Sequence, residues 1–314
     1  MINKVKNLLM RYILGINAFH ADSSAVLLKN GEVKAAIEEE KFTRIKHWSG
    51  FPKKSINWCL EYAKINFSEI SHIGINTNPN STYLRKIRYV LLNKPNFNFY
   101  LDRFKNKDRG NSIKELLKRE FSKDKPINAE IHYIDHHFCH MSSAFFPSKY
   151  NKAAVLSIDG FGDFCSTAWG IGNGNKLSLK KRIFFPNSLG AFYTSITQFL
   201  GFENYGDEYK VMGLAPYGKP TYLNSLKNFL VINEDGRFSL NQKYIYWEKN
   251  ISNKVEGSPS IYTHFNNNLE ELLGKKRLPG EVIEQRHKDI ARSLQDLYEL
   301  AFFNLLNNIY KDYK

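Results

Sequence analysis

A chain of 314 residues, 42% hydrophobic and 24% charged, with a mean hydropathy of −0.45, has the composition of a globular protein with one large domain or two smaller ones. No apolar run approaches the ~18 residues that cross a bilayer, and the start lacks the cleavage site of a signal peptide. We therefore expect a cytoplasmic protein that does not enter a membrane. The net charge of +14 is compatible with three kinds of partner: nucleic acid, an anionic polymer or a phosphorylated substrate.

The three cysteines argue against a disulfide framework because they are odd in number and unclustered: Cys59, Cys139 and Cys165. Cys139 stands among three histidines, but on a helix it projects away from the face that carries His136 and His140. We interpret it as a buried thiol in preference to a metal ligand.

The first part of the chain predicts three strands, then a helix and a fourth strand. The strands cover 12–17, 25–28, 33–37 and 72–76, and the helix covers 53–64 behind Pro52. Asn30-Gly31 predicts a hairpin turn between the second and third strands. The polar loop Ala18–Ser24 suits the binding of phosphate by backbone N–H groups. The charged stretch that follows the third strand is typical of a solvated loop.

Residues 77–128 are rich in Asn, Lys and Arg, and we interpret them as a basic insertion over the sheet. Between Arg85 and Lys125, 13 basic residues stand against five acidic ones, a net charge of +8. A helix is predicted near 112–121. The insertion contains aromatic residues but no nucleic-acid recognition motif, so a solvated surface is favoured over a polyanion site and nucleic acid is an unlikely partner.

A strand over 131–134 leads into a helix that carries His136, His137 and His140 and ends before Pro147. His136 and His140 are four residues apart, so they lie one turn apart on one face, a spacing at which two imidazoles can bind one metal ion. The next strand, 153–158, ends on Asp159, which could supply an oxygen ligand before a tight turn through Gly160 and Gly162. His137 points elsewhere and is expected to bond a neighbour, or else to support the ligands.

Two more strands, 165–171 and 177–185, repeat the opening pattern of three consecutive strands, and a helix over 189–200 follows. Residues 201–220 contain four glycines and two prolines and predict a loop, whose small residues permit close approach of the backbone to a ligand. The chain closes with an amphipathic helix over 281–310. Its expected buried positions are Ile290, Leu294, Leu297, Ala301 and Leu305.

Four stretches together resemble the carbamoyltransferase family, the NodU-type enzymes that carbamoylate nodulation factors, antibiotics and other sugar-like acceptors. They read GINAFHADSSAVLLKNGEVKAAIEEEKFTRIKHWSGFP, DHHFCHMSSAFFPS, AAVLSIDGFGDFCSTAWGIGNG and FPNSLGAFYTSITQFLGFENYGDEYKVMGLAPYGKP. The most specific string is GDEYKVMGLAPYG.

The resemblance implies an α/β fold of the actin/Hsp70/sugar-kinase type, whose ribonuclease-H-like lobes each carry a mixed sheet with flanking helices. We expect residues 1–9 to be an extension and 10–280 to form the first lobe with the basic insertion. Residues 281–314 would be a helix that leads into a second lobe. That lobe and the family's C-terminal adenylate-forming domain are not found in this sequence. We therefore expect either that the sequence is a fragment or split product of a longer gene, or that another chain supplies the missing parts.

The resemblance also implies transfer of a carbamoyl group from carbamoyl adenylate, made from carbamoyl phosphate and ATP, to a hydroxyl of a saccharide or natural-product acceptor. His20 matches a family histidine at the transfer site and would act as base toward that hydroxyl. Lys46 matches a lysine near the adenylate, where it would offset phosphate charge.

The cofactor and metal residues follow from the same resemblance. Adenylate or acceptor contacts are expected at Gly160, Gly162, Gly213 and Lys210. The metal ligands are expected to be His136, His140 and Asp159. This nitrogen and oxygen set suits Fe²⁺ first, with Zn²⁺ or Mn²⁺ as alternatives.

Three alternatives stay open at this point. The chain could be a relative of the tRNA threonylcarbamoyl-transferase that binds RNA, or a non-catalytic fragment that needs a partner. A homodimer is also possible. The acceptor is not specified by the sequence.

Overall fold

A computed structural model of the protein describes residues 11–78, 80–93, 113–123, 125–247, 256–259 and 262–313. The predicted extension 1–9 and a large part of the basic insertion lie outside these residues. The described chain forms two compact units. The first runs to His136 and includes 256–259, and the second comprises the remainder. This boundary falls inside the range 10–280 that the sequence assigns to one lobe, and the lobe assignment stays a prediction.

The first unit is built on a five-stranded mixed sheet in the order β3-β2-β1-β4-β5. Its strands are β1 (Tyr12–Asn17), β2 (Ser24–Lys29), β3 (Glu32–Glu38), β4 (Ile70–Ile75) and β5 (Glu130–Tyr133). The first three strands pair antiparallel, whereas β4 pairs parallel to both β1 and β5. The predicted strands and the mixed α/β class are therefore confirmed.

The hairpin between β2 and β3 forms at the predicted dipeptide. Asn30 and Gly31 have φ of 53° and 88°, the left-handed region that asparagine and glycine tolerate best. A two-residue turn with both φ values positive matches the twist of the strands on either side, which explains why this dipeptide fixes the register.

Four helices belong to the described part of the first unit. They are α1 (Glu40–Thr43), α2 (Lys53–Ala63), α3 (Tyr83–Asn93) and α4 (113–121). The predicted apolar face of α2 is buried at Ile56, Cys59 and Leu60. The buried carboxylate of Glu39 accepts hydrogen bonds from the backbone amides of Lys54 and Ser55 and from the Ser55 hydroxyl, at 2.7–3.0 Å. It satisfies amides of the first turn that would otherwise have no intrahelical partner.

The helix α5 (His136–Phe145) starts at the last residue of the first unit and continues into the second. The second unit then forms an antiparallel sheet of β6 (Lys152–Gly162), β7 (Cys165–Asn173) and β8 (Lys176–Phe184). Each unit thus begins with three consecutive antiparallel strands, which confirms the repeated pattern. The short strands β9 (Leu230–Ile232) and β10 (Phe238–Leu240) form a separate pair.

The remaining helices of the second unit are α6 (Leu189–Phe199), α7 (Glu208–Leu214), α8 (Leu223–Leu226), α9 (Leu269–Leu273) and α10 (Gln285–Asp312). All five residues predicted for the buried face of α10 have no exposed surface. They belong to the main apolar core of the unit together with Phe192 and Phe199 of α6. Burial of a face this long is what holds α10 to its unit.

The predicted loop over 201–220 is wrong in its centre, where α7 forms and a short 3-10 turn, Ala215–Tyr217, follows. Glycines on both sides suggested a loop. However, the seven residues between them are good helix formers apart from Gly213, and Val211 and Ala215 are buried in the core. Tertiary burial therefore outweighs the low helix propensity of one glycine.

The predicted turn through Gly160 and Gly162 is also displaced. β6 continues to Gly162 with an irregular register after Ile158, and Gly162 pairs with Cys165. The turn residues are Asp163 and Phe164, with φ of 50° and 67°. Aspartate tolerates this conformation, whereas phenylalanine adopts it rarely, and for that reason the sequence did not reveal the turn.

Candidate functional site

His136 and His140 lie on the one continuous helix α5, four residues apart. This spacing places them one turn apart on a common face, as predicted. His136 is 8% exposed, whereas His140 is exposed to solvent. The helix therefore presents one buried and one accessible imidazole in the same direction.

Asp159 lies opposite His140 within the second unit. Its Oδ2 atom is 3.5 Å from His140 Nε2, and its Oδ1 atom accepts a hydrogen bond from the Gly160 amide at 2.6 Å. Two ligand atoms bound to one tetrahedral ion at ~2.0–2.1 Å lie about 3.3–3.4 Å apart. The separation between His140 and Asp159 therefore suits two ligands of one divalent metal, and the Gly160 amide orients the carboxylate.

His137 is not available to a metal. It has no exposed surface, its Nε2 atom is 2.9 Å from the Cys165 carbonyl oxygen, and its Nδ1 atom is 2.8 Å from the Ser157 hydroxyl. Because a carbonyl oxygen only accepts, Nε2 donates and Nδ1 accepts the Ser157 proton. The prediction that His137 bonds its neighbours is confirmed.

His20 lies in the loop between β1 and β2, and its ring centroid is 5.8 Å from that of His136 within the first unit. The loop is held by Ser23, whose buried hydroxyl donates toward the carbonyl oxygens of His20 and Gly50 and accepts from the Gly50 amide. Asn17 donates to two further carbonyls of the loop. A loop tied down at this many points places His20 in a defined position beside α5.

Lys46 is exposed in the segment that follows α1. The next residue, His47, bonds Asp22 of the first loop through Nδ1 at 2.9 Å, and its backbone amide donates to Glu40 at 2.9 Å. Asp22 and Glu40 therefore make hydrogen bonds that fix the position of His47. The sequence analysis overlooked His47, which joins the segment of Lys46 to the loop of His20, because it stands inside a charged run that resembles solvated surface.

Next to the segment of Asp159, Gly190 is a glycine that needs its small size. The sequence analysis did not single it out. A Cβ atom there would lie 2.9 Å from the backbone of Gly160, whereas a Cβ at Gly160 itself would meet nothing within 4 Å. Ser188, at the start of α6, donates a hydrogen bond to the Gly160 carbonyl at 2.8 Å. The start of α6 therefore supports the segment of Asp159 closely, and the other side of Gly160 is open.

Lys210 and Gly213 both lie on α7. The Lys210 ammonium is 2.7 Å from the buried carboxylate of Asp207. This hydrogen bond raises the pKa of Lys210 above its ordinary value. Gly213 has room for a Cβ, so neither backbone conformation nor crowding within the chain explains a glycine there.

None of the helices described here is both long and apolar enough to cross a membrane.

Two curated relatives extend over nearly the whole chain. An uncharacterized protein of Synechocystis sp. is 36% identical over 314 residues, which cover 96% of this chain and 49% of that protein. Nodulation protein NolNO of Sinorhizobium fredii is 32% identical over 295 residues, covering 93% of this chain and 39% of that protein. The chain thus spans about half the length of the first relative and about two fifths of the length of the second.

Among solved structures, YeaZ from Pseudomonas aeruginosa is similar with a TM-score of 0.30 and 12% identity, over 57% of this chain and 68% of that one. A TM-score this low supports no conclusion about fold or function. The family described as Carbamoyltransferase N-terminus matches residues 12–314. This match covers the helix of His136 and His140, the loop of His20 and the strand of Asp159, and the chain belongs to the carbamoyltransferase family.

Proposed function

We propose that the chain is the transfer part of an O-carbamoyltransferase, which moves a carbamoyl group from carbamoyl adenylate to a hydroxyl of a saccharide or natural-product acceptor. The observation that supports it most is the set of ligand atoms on α5 and β6, with His140 Nε2 at 3.5 Å from Asp159 Oδ2, in a member of this family.

Carbamoyl transfer needs help because the nitrogen lone pair makes the carbonyl carbon a poor electrophile. His136, His140 and Asp159 would hold a divalent ion, with Fe²⁺ first and Zn²⁺ or Mn²⁺ as alternatives. Such an ion supplies Lewis-acid polarisation of a carbonyl or phosphoryl oxygen. The hydrogen bond from the Gly160 amide to Asp159 keeps the carboxylate oriented for this role.

The second requirement is removal of the proton from the acceptor hydroxyl. We assign this task to His20, because its loop is fixed by Ser23 and Asn17 and its ring lies beside His136. Imidazole titrates near neutral pH, so it can accept a proton there and release it after transfer.

Lys46 is proposed to offset the phosphate charge of the adenylate. Lys210 is proposed, separately, to contact the acceptor or a phosphate. Lys46 is exposed, whereas Lys210 already contacts Asp207 and would exchange this partner on binding. Gly160 is proposed as a point of close ligand approach because its side without a Cβ is open. Gly162 and Gly213 are proposed for the same role from the family resemblance. The adenylate itself would come from carbamoyl phosphate and ATP on an adenylate-forming domain outside this chain.

The proposal is tested by metal analysis and by transfer on the untagged full chain. We expect the content of Fe²⁺, Zn²⁺ or Mn²⁺ to fall by about one ion per chain, relative to the wild type, in His136→Ala and in Asp159→Asn. Asp163→Asn is the matched control, because Asp163 is a turn residue four positions later whose left-handed backbone asparagine tolerates.

Transfer is measured as AMP release from supplied carbamoyl adenylate that depends on a hydroxylated acceptor. His20→Gln should keep the metal and lower this rate by about 10²- to 10⁴-fold, the usual contribution of a general base. Wild-type protein that retains no divalent metal, or a His20→Gln variant with unchanged transfer, would refute the proposed roles.

A further inference from the structure

A second group of possible metal ligands lies on the edge strand β5 of the five-stranded sheet and on its neighbour β4. It comprises His72 on β4 and both Glu130 and His132 on β5. In the register of these parallel strands, His72 is opposite Glu130, and His132 is opposite Gly74. Side chains alternate along a strand, so residues 72, 130 and 132 all project from the same face of the sheet.

The ligand atoms of this group are close to one another. His72 Nδ1 is 3.0 Å from His132 Nε2 and 3.6 Å from a carboxylate oxygen of Glu130, and this oxygen is 3.9 Å from His132 Nε2. Ligand atoms on one tetrahedral ion lie about 3.3–3.4 Å apart. Movements of a few tenths of an ångström in three partly exposed side chains would therefore produce the required geometry.

The chemistry of the three donors also fits. Two imidazole nitrogens and one carboxylate are a borderline set that suits Zn²⁺ and its transition-metal neighbours better than Mg²⁺ or Ca²⁺. With three protein ligands, a fourth position is left for water. The side chains of His72, His132 and Glu130 are 31%, 41% and 69% exposed, so an ion could reach them from solvent.

The two rings also make a hydrogen bond with each other, which is the arrangement expected without a metal. At 3.0 Å, one nitrogen donates and the other accepts, so the pair shares one ring proton. A metal bound by both nitrogens would displace this proton, which would move to the far nitrogen of the same neutral ring through a change of tautomer.

We propose that His72, Glu130 and His132 form a second divalent metal site, of the Zn²⁺ class, at the edge of the sheet. An ion there would join β5, which is an edge strand of this sheet, to its neighbour β4. Since β5 ends at Tyr133 and α5 begins at His136, the site would also stabilise the strand that leads into the histidine helix. The site is independent of the ligand set assigned to carbamoyl transfer.

The test uses the untagged full chain with His136→Ala and His140→Ala, so that α5 cannot contribute ligands. After chelator treatment, the protein is dialysed against Zn²⁺ and its metal content is measured, while its melting temperature is followed with and without Zn²⁺. We expect one bound Zn²⁺ per chain and a higher melting temperature with the ion.

Adding His132→Asn or Glu130→Gln to that protein should abolish the bound ion and the increase in melting temperature. Glu61→Gln, an exposed glutamate on α2, is the matched control and should change neither. If the His136→Ala/His140→Ala protein binds no Zn²⁺, or if His132→Asn leaves the content unchanged, the second site does not exist. Neither result bears on the proposed function. That function is tested by the metal content and transfer rate of the wild-type protein.

Discussion

Three histidines within five residues have different chemical environments because a helix points them in different directions. His136 and His140 share one face of α5, whereas His137 is rotated into the second unit, where Ser157 and Cys165 use both of its nitrogens. The spacing alone separates His137 from the other two histidines, so the sequence analysis could predict that His137 bonds a neighbour. It could not identify the partners of His137, because Ser157 and Cys165 are distant in sequence and meet it only in the folded chain.

We expect His137→Phe to lower stability without removing the metal. Phenylalanine fills a similar volume but leaves the Ser157 hydroxyl and the Cys165 carbonyl buried without their present partner. Each buried polar group left unsatisfied costs about 1–3 kcal/mol. Urea unfolding should therefore show a loss of about 2–5 kcal/mol in the free energy of unfolding, while metal analysis of the folded protein gives the wild-type value. Loss of the metal with unchanged stability would mean that His137 is itself a ligand.

At the scale of secondary structure, the strands and the long helices could be predicted because each has a strong pattern. In β1, buried and partly buried side chains alternate, as is typical of a strand. In α10, the spacing of Leu294, Leu297 and Ala301 is typical of the buried face of a helix. The short helix α7 lacks such a pattern. The helix forms because Val211 packs in the core of the second unit. The local sequence does not indicate that Val211 is buried there. The turn at Asp163-Phe164 was missed for the same reason.

The two glycines Gly190 and Gly213 offer a matched comparison of a glycine required by packing with one that is not. In Gly190→Ala the new methyl group would lie 2.9 Å from the Gly160 backbone, so α6 and the strand of Asp159 must separate. Overpacking of this kind costs about 1–3 kcal/mol, and we expect weaker metal retention as well. In Gly213→Ala the methyl group meets nothing, and alanine in place of glycine inside a helix stabilises by about 0.5–1 kcal/mol.

Thermal or urea unfolding of both variants measures these effects, and a transfer assay on Gly213→Ala adds a functional result. A variant that is more stable yet slower in transfer would support ligand approach at Gly213. Equal transfer with higher stability would show that this glycine has no role in ligand binding. A neutral effect of Gly190→Ala would contradict the close packing between α6 and β6.

At the scale of the whole molecule, the repeated three-strand pattern was visible in the sequence, but the division into two units was not. The boundary falls at His136, within a helix that looks uninterrupted in the sequence. A division of this kind depends on which long-range contacts form, and these are not encoded in any local periodicity. The matched region spans 49% of the Synechocystis relative and 39% of nodulation protein NolNO.

The pH dependence of stability should depend on a histidine of the second unit that is buried in its neutral form. Burial lowers the pKa of His264 from the ordinary value of 6.5 to about 4. Its ring packs edge-on against Trp247. The unfolded chain therefore binds a proton on this residue between pH 6.5 and 4, while the folded chain does not, and the free energy of unfolding must fall as the pH is lowered through this window. At 1.36 kcal/mol per pKa unit, the full effect is about 3 kcal/mol.

His287 acts in the same direction, because burial lowers its pKa too, and its Nδ1 accepts a hydrogen bond from the Glu284 amide. Acidic groups with a lowered pKa, such as Asp207, contribute only at still lower pH, where carboxylates become protonated. His264→Phe should therefore reduce the loss of stability between pH 7 and pH 5 without abolishing it. The measurement is urea unfolding at both pH values with a chelator present, so that histidines cannot contribute by releasing a metal. If His264→Phe loses as much stability as the wild type over this range, the buried neutral histidine is not the source of the pH dependence.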